Sequence, residues 1–260
     1  MANLHNLFPQ RVTLSDETHQ YWHDNGNEHL SFSKFFGFLT GEKPDFDKLA
    51  GFVAKRDGGT QETVLAKWKS QTDEGTRIDK ALELFAQTGQ ILQEDADLEP
   101  LVKKVLEKYS TYHRCFEQVV VFDENRRTAG SLDKLCLLSN RKNTKFHMND
   151  FKCFEGGMQY APKGQPWLNY PLNHLPNSKY VKICLQLSYY SLHLENLTDM
   201  RCEAQFIDMI VPKKENGKVI GYSNSLIPAP YMKMEIEAAL NMFQPQIIAT
   251  LENNNLQPAF

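Results

Sequence analysis

The stretch MNDFKCF, residues 148–154, sets an aspartate and a lysine two apart in a run otherwise suited to a sheet interior. Side chains alternate along an extended strand, so Asp150 and Lys152 share a face with Met148 and Phe154, while Asn149, Phe151 and Cys153 point the other way. The two charges therefore project together. Taken alone, the tripeptide reads as an i, i+2 ion pair on a solvated face, a common and weak interaction. What gives it a second reading is the company it keeps.

Upstream, CFEQVVVFDENRRTAGSLDKLCLLSNRKNTKFHMNDFKCF holds three β-rich runs, near 116–122, 129–138 and 146–154. The polar turns DENRRT and SNRKNTK separate them, which predicts a three-stranded antiparallel meander. Its second strand carries Asp133 and its third Asp150 and Lys152. Adjacent antiparallel strands bring such side chains within reach when register and face agree, so an acidic pair can form. Before the meander, Asn25-Gly26 between aromatic-bearing runs signals a tight N-terminal hairpin, and Ser31 or Ser33 is placed to cap a helix. Residues 45–58, 60–89 and about 98–112 have helical periodicity, with Ile78, Leu82 and Phe85 forming one apolar stripe and Gly89 a C-terminal stop. After the meander, 155–179 is rich in Gly, Pro and Asn and reads as a long ordered loop insertion. A helix from Tyr180 places Gln186 and Tyr190 one turn apart. One or two strands around KKENGK follow, and a closing amphipathic helix lies within 229–260, with Pro245 as a possible bend.

A chain of 260 residues with 41% hydrophobic content fits one α/β domain over 1–260. The net charge of −3 gives no molecule-wide basic footprint, so any nucleic-acid contact must rest on local patches. The five cysteines, Cys115, Cys136, Cys153, Cys184 and Cys202, are odd in number and lack metal-site spacing. A reduced, cytoplasmic setting is expected. No apolar run approaches the ~20 residues of a membrane span, and MANLHNLFPQ lacks signal-peptide character, so the expectation is a soluble chain without membrane partners.

Set in order, the chain reads Gly75-TRI-Asp79, Glu117, Gly130-SL-Asp133, Asp150-F-Lys152 and Gln186-LSY-Tyr190, on helix, strand, strand, strand and helix. This resembles the PD-(D/E)XK nuclease superfamily, in particular its RecB-like and lambda-exonuclease-like branch. The resemblance implies a restriction-endonuclease-like core at about 20–210, a central mixed β-sheet flanked by helices. It also implies a Mg²⁺- or Mn²⁺-dependent deoxyribonuclease that leaves 5′-phosphates, more in the manner of an exonuclease, in DNA replication, recombination or repair. Hard cations of this kind take oxygen ligands at about 2.1 Å. Asp133 and Asp150, with the backbone carbonyl of Phe151, are the implied ligands, and Lys152 is the group that orients water and stabilises developing charge. Asp79 stands where the branch has a histidine, and it joins the implied ligand set, with Glu83 as its competitor. Leu132 replaces the name-giving proline.

Other readings stay open at several positions. Glu117 suits an auxiliary ligand or a solvated edge glutamate. Gln186 and Tyr190 suit nucleic-acid contact or plain packing, and Arg126, Arg127 and Lys142 suit substrate contact or solvated turn charges. The whole chain also admits a catalytically weak or inactive nuclease-fold scaffold for nucleic acid or a replication or recombination protein, or a structure-specific endonuclease. No Walker A loop appears, so a helicase, recombinase or single-strand-binding partner would be another chain.

Overall fold

The structure, a computed structural model, describes residues 7–15, 17–41, 45–139, 144–160, 164, 166–216 and 218–255. It opens with β1 (Val12–Ser15), a strand absent from the sequence reading, antiparallel to β2 (Gln20–His23). The expected hairpin then joins β2 to β3 (Glu28–Ser31), with Gly26 at φ 84° as the tight turn requires. Ser31 accepts from the Lys34 N–H and starts α1 (Phe32–Thr40). Asp45 and Thr60 do the same for α2 (Phe46–Asp57) and α3 (Gln61–Thr88), and Gly89 closes α3 at φ 70°. A short 3-10 turn leads to α4 (Glu99–Glu107), and another, Lys108–Thr111, delivers the chain to the sheet.

The meander forms as expected: β4 (Arg114–Asp123), β5 (Thr128–Leu137) and β6 (Lys145–Cys153) pair antiparallel in sequence. Residues 154–178 form no helix or strand among those described, and their Leu168 and Leu172 are buried in the core. The Asn169 N–H donates to the Leu39 carbonyl at 2.7 Å, which moors this loop to α1. Then come α5 (Lys179–Leu197), β7 (Arg201–Glu215), β8 (Lys218–Ala229) and α6 (Lys233–Asn255). The last helix runs through Pro245.

The eight strands make one mixed sheet, parallel at β3–β5 and β6–β7 and antiparallel elsewhere. Helices cover both faces. One core gathers Phe35 of α1, Leu185 and Tyr189 of α5 and Leu240 of α6 against Leu132, Leu135 and Met148. The other packs Ile78 and Leu82 of α3 and Val102 and Val105 of α4 against Cys136 and Phe151. The expected mixed sheet between helices, with an N-terminal hairpin and a C-terminal helix, is therefore met. Among the described residues no helix is long and apolar enough to cross a membrane.

Two irregularities position the site. Gln118 takes φ 48°, and the alternation of β4 shifts there, so that Phe116 and Val119, at odd spacing, both enter the core under α5. The second concerns β5. Its whole length lies along β4 on one edge, while on the other edge β3 pairs only at Thr128 and Ala129, and β6 only from Lys134 to Leu137. Residues 130–133, the GSLD motif, have no strand beside them on that edge among the described residues.

Candidate active site

Asp133 and Asp150 stand at the mouth of this gap. Lys134↔Asn149 is the last Cα pair of β5 and β6, so the two aspartates flank the fork where the strands part. Where the ladder would have continued, Asp133 Oδ2 accepts the Phe151 backbone N–H at 2.8 Å, so a carboxylate takes over from a strand carbonyl. Lys152 Nζ lies 2.6 Å from Asp150 Oδ2 and donates to the Phe151 carbonyl at 3.1 Å. Asp150 Oδ2 is buried and receives no well-directed hydrogen bond, so its contact with Lys152 is one of charge.

Asp79 reaches the same place from α3. Burial, with Asp150 adding and Lys152 opposing, pushes its carboxyl up to about 6. Burial and then the Asp150 charge drive Asp133 well above the ordinary carboxylate range, again against Lys152. For Lys152 burial works downward, but the Asp150 and Asp133 carboxylates outweigh it and hold the ammonium above the usual lysine range. Three acids thus crowd one ammonium, and on Asp79 and Asp133 burial and then the neighbouring charges raise the proton affinity.

Among the described residues no three His, Cys, Asp or Glu side chains close on one point as a finished metal cage would. The donor chemistry nevertheless fits a hard cation. Asp150 and the Phe151 carbonyl already share one positive group, the Lys152 ammonium, and Asp133 adds a further carboxylate at the fork.

Tyr190 roofs the gap. A Cβ placed on Gly130 would lie 2.0 Å from Tyr190 Cε1, so the first residue of GSLD must be glycine for the ring to sit there. Gln186 Nε2 donates to the Tyr190 hydroxyl at 2.9 Å, which realises the expected one-turn pairing. Tyr190 is buried and Gln186 half-buried, so the tyrosine packs and the glutamine holds its hydroxyl from the edge of the core. Two neighbours had no part in the sequence reading. Tyr21 of β2 meets the Ser131 backbone and lies within electrostatic reach of Asp133. Lys182, one turn before Gln186 on α5, is exposed but holds its ammonium 5.3 Å from the Phe36 ring centroid, and partial desolvation there and then Lys152 lower it. The Lys182–Gln186–Tyr190 spacing could have revealed the lysine, whereas no local spacing links Tyr21 to Ser131. A cleft of about 740 Å³ opens beside Lys182, lined also by Phe36, Thr40, Lys48, Leu49 and Phe52.

The remaining candidates are engaged elsewhere. Glu117 forms an ion pair with Lys134, whose ammonium lies 4.4 Å from the Tyr109 ring centroid. Glu83 accepts from Gln87 at 3.0 Å and is coupled electrostatically to Glu117. Arg126 binds Asp123 at 2.7 Å and Asn241 of α6 at 3.0 Å. Arg127 donates to the Glu28 carbonyl at 3.2 Å. These two arginines, read as nucleic-acid contacts or solvated charges, in fact tie the β4–β5 turn to its surroundings. Lys142 lies outside the described residues.

No known family profile and no curated protein matches the chain. Among solved structures it is similar to a protein of Eubacterium rectale described provisionally as an exonuclease, at 16% identity and TM-score 0.41, over 88% of this chain and 83% of that one. It is also similar to a phage-related exonuclease of Haemophilus somnus 129PT, at 12% identity and TM-score 0.34, over 88% of this chain and 98% of that one. Similarity at that level is one of outline alone.

Proposed function

We propose that the chain is a metal-dependent deoxyribonuclease that hydrolyses phosphodiester bonds to leave 5′-phosphates, acting as an exonuclease. The observation that carries this is the meeting of Asp133, Asp150 and Lys152 at a gap in the sheet edge, with Asp79 arriving from the opposite layer. Buried acids with raised proton affinity at such a fork cost stability unless they serve a cation.

Asp133, Asp150 and the Phe151 carbonyl would hold Mg²⁺ or Mn²⁺, with Asp79 as a further carboxylate. Such a cation supplies charge neutralisation at the scissile phosphate and a lowered pKa for its bound water. Lys152 stays protonated because the carboxylates raise it, so it donates hydrogen bonds to water and phosphate and does not accept a proton. Tyr190 packs over Gly130 beside the gap, and Gln186 holds the Tyr190 hydroxyl. The substrate strand would run along the neighbouring cleft, where Lys48 and Lys182 suit phosphates and the exposed Phe52 offers a ring face.

The test is digestion of linear and covalently closed circular DNA with Mg²⁺, Mn²⁺ or Ca²⁺. Linear DNA should be degraded to 5′-phosphorylated products with Mg²⁺ or Mn²⁺, and circles should survive. Cleaved circles would make the chain an endonuclease. No cleavage, together with no metal-linked change in thermal stability, would make it an inactive nuclease-fold scaffold.

A further inference from the structure

Cys115 on β4 and Cys136 on β5 face each other directly across the antiparallel ladder, with their Sγ atoms 2.6 Å apart. That separation is inside ordinary van der Waals contact and longer than a disulfide bond of about 2.05 Å. Opposed residues of an antiparallel pair hold their Cα atoms about 4.5–5.5 Å apart, within the ~4.4–6.8 Å that a disulfide spans. The backbone is therefore already in place for a bridge.

Access and reactivity are asymmetric. Cys115 is half-buried and Cys136 fully buried, so a small oxidant meets Cys115 first. The contact with Cys136 holds the Cys115 thiol below its ordinary range, burial opposes this and Lys134 assists, so the outer sulfur is the readier to ionise. Burial pushes Cys136 the other way.

We propose that Cys115 and Cys136 form a reversible oxidation site that a peroxide closes into a cross-strand disulfide. The Cys115 thiolate attacks one oxygen of hydrogen peroxide, the O–O bond breaks, and Cys115 sulfenic acid and water result once a proton is taken up. The Cys136 sulfur then attacks the sulfenic sulfur, the S–S bond forms, and the hydroxyl leaves as a second water with the Cys136 proton. In sum, two thiols give up two electrons and two protons, and one peroxide becomes two waters. The bridge ties β4 to β5 three residues along from Asp133. The site stands on the ladder alone and does not require the chain to be a nuclease.

The experiment treats the full, pre-reduced chain with hydrogen peroxide and follows intact mass, thiol alkylation after denaturation, and peptide linkage. The expected result is a loss of two hydrogens in mass, three of the five cysteines still alkylated, and a Cys115–Cys136 linked peptide that dithiothreitol separates. Cys115→Ser should abolish the mass loss, and Cys153→Ser should leave it intact. Five alkylated cysteines, a bridge to another cysteine, or a Cys115 sulfinic acid beside a free Cys136 would each overturn the proposal. Peptide mapping of the unsubstituted chain decides the matter even where a serine variant fails to fold.

Discussion

Two aspartates on neighbouring strands each pair with a lysine at 2.6 Å, Asp150 with Lys152 of its own strand and Asp208 with Lys108 of the 3-10 turn before β4. Phe151 of β6 and Asp208 of β7 are Cα partners. Asp208 is fully buried and fully engaged: Lys108, the Tyr109 hydroxyl and Asn224 at 2.9 Å all donate to it. Asp150 Oδ2 is buried without a directed donor, and Asp133 and Asp79 crowd the same ammonium. A buried charge whose lone pairs are filled behaves as scaffolding, and one left short among like charges is a place where something else belongs. Equal distances thus conceal opposite energetics.

The sharpest contrast comes from removing each acid. Asp150→Asn should lower cleavage by about a thousandfold or more while metal-free stability stays level or rises, because repulsion with Asp133 is relieved. Asp208→Ala should instead cost about 3–5 kcal/mol, since Lys108 and Tyr109 lose their partner, and its folded fraction should still cut DNA. Urea unfolding and single-turnover digestion measure both. An active, folded Asp150→Asn protein would reduce the fork to a second structural pair.

Next in size is the roof of the gap. Gly130→Ala drives a methyl into the Tyr190 ring and should cost about 1–3 kcal/mol of overpacking. In a Tyr190→Ala background the same Gly130→Ala change should cost less than it does in the unsubstituted chain. A neutral Gly130→Ala would show that the ring yields, and that the gap is held by other contacts.

The pH dependence of the metal-free chain separates the regions more finely. Asp79 sits at about 6 in the fold against an ordinary 3.8. A carboxyl raised by folding stabilises the fold while protonated; that contribution is complete below the ordinary value and is lost as pH rises through about 6. Asp79→Asn should therefore gain about 1 kcal/mol above that pH, after allowance for solvent screening. Denaturation in chelator on both sides of pH 6 would show it, and a flat difference would detach Asp79 from the crowded acids. Asn224→Ala, which removes one of the donors to Asp208, should be destabilised at every pH.

The smallest expected effect distinguishes Asp79 from Glu83. Calorimetric titration should show weaker Mn²⁺ binding for Asp79→Ala, while Glu83→Ala, engaged with Gln87, should shift it by less than about 0.5 kcal/mol. Equal affinities in the unsubstituted chain and Asp79→Ala would take Asp79 out of the ligand set.

What could be read beforehand was local. Alternation and polar turns revealed the meander because both are set by residues within a few positions of each other, and the Ser31 cap and Gly89 stop are likewise short-range chemistry. The fork was only half legible: Asp133 and Asp150 could be aligned, but the gap between them depends on β3 arriving in parallel at Thr128 from almost a hundred residues earlier. Side-chain employment was hidden for the same reason. Glu117 meets Lys134 across the ladder, and Arg126 is claimed by Asn241 of the last helix, so neither is free in the way its surroundings in the sequence suggest.

The interrupted edge of β5 has a consequence for how the fold can be remodelled. Two separate wings, the N-terminal three-stranded piece and the β6–β8 piece, are docked end to end along one rail, and four residues of vacancy separate them. Lengthening β3 or β6 to fill that vacancy would give a longer ladder, with more backbone bonds and a tougher sheet. It would also seal the only opening through which the GSLD segment is reached from that side among the described residues. The defect in the lattice is the doorway, and selection for stability alone would have bricked it up.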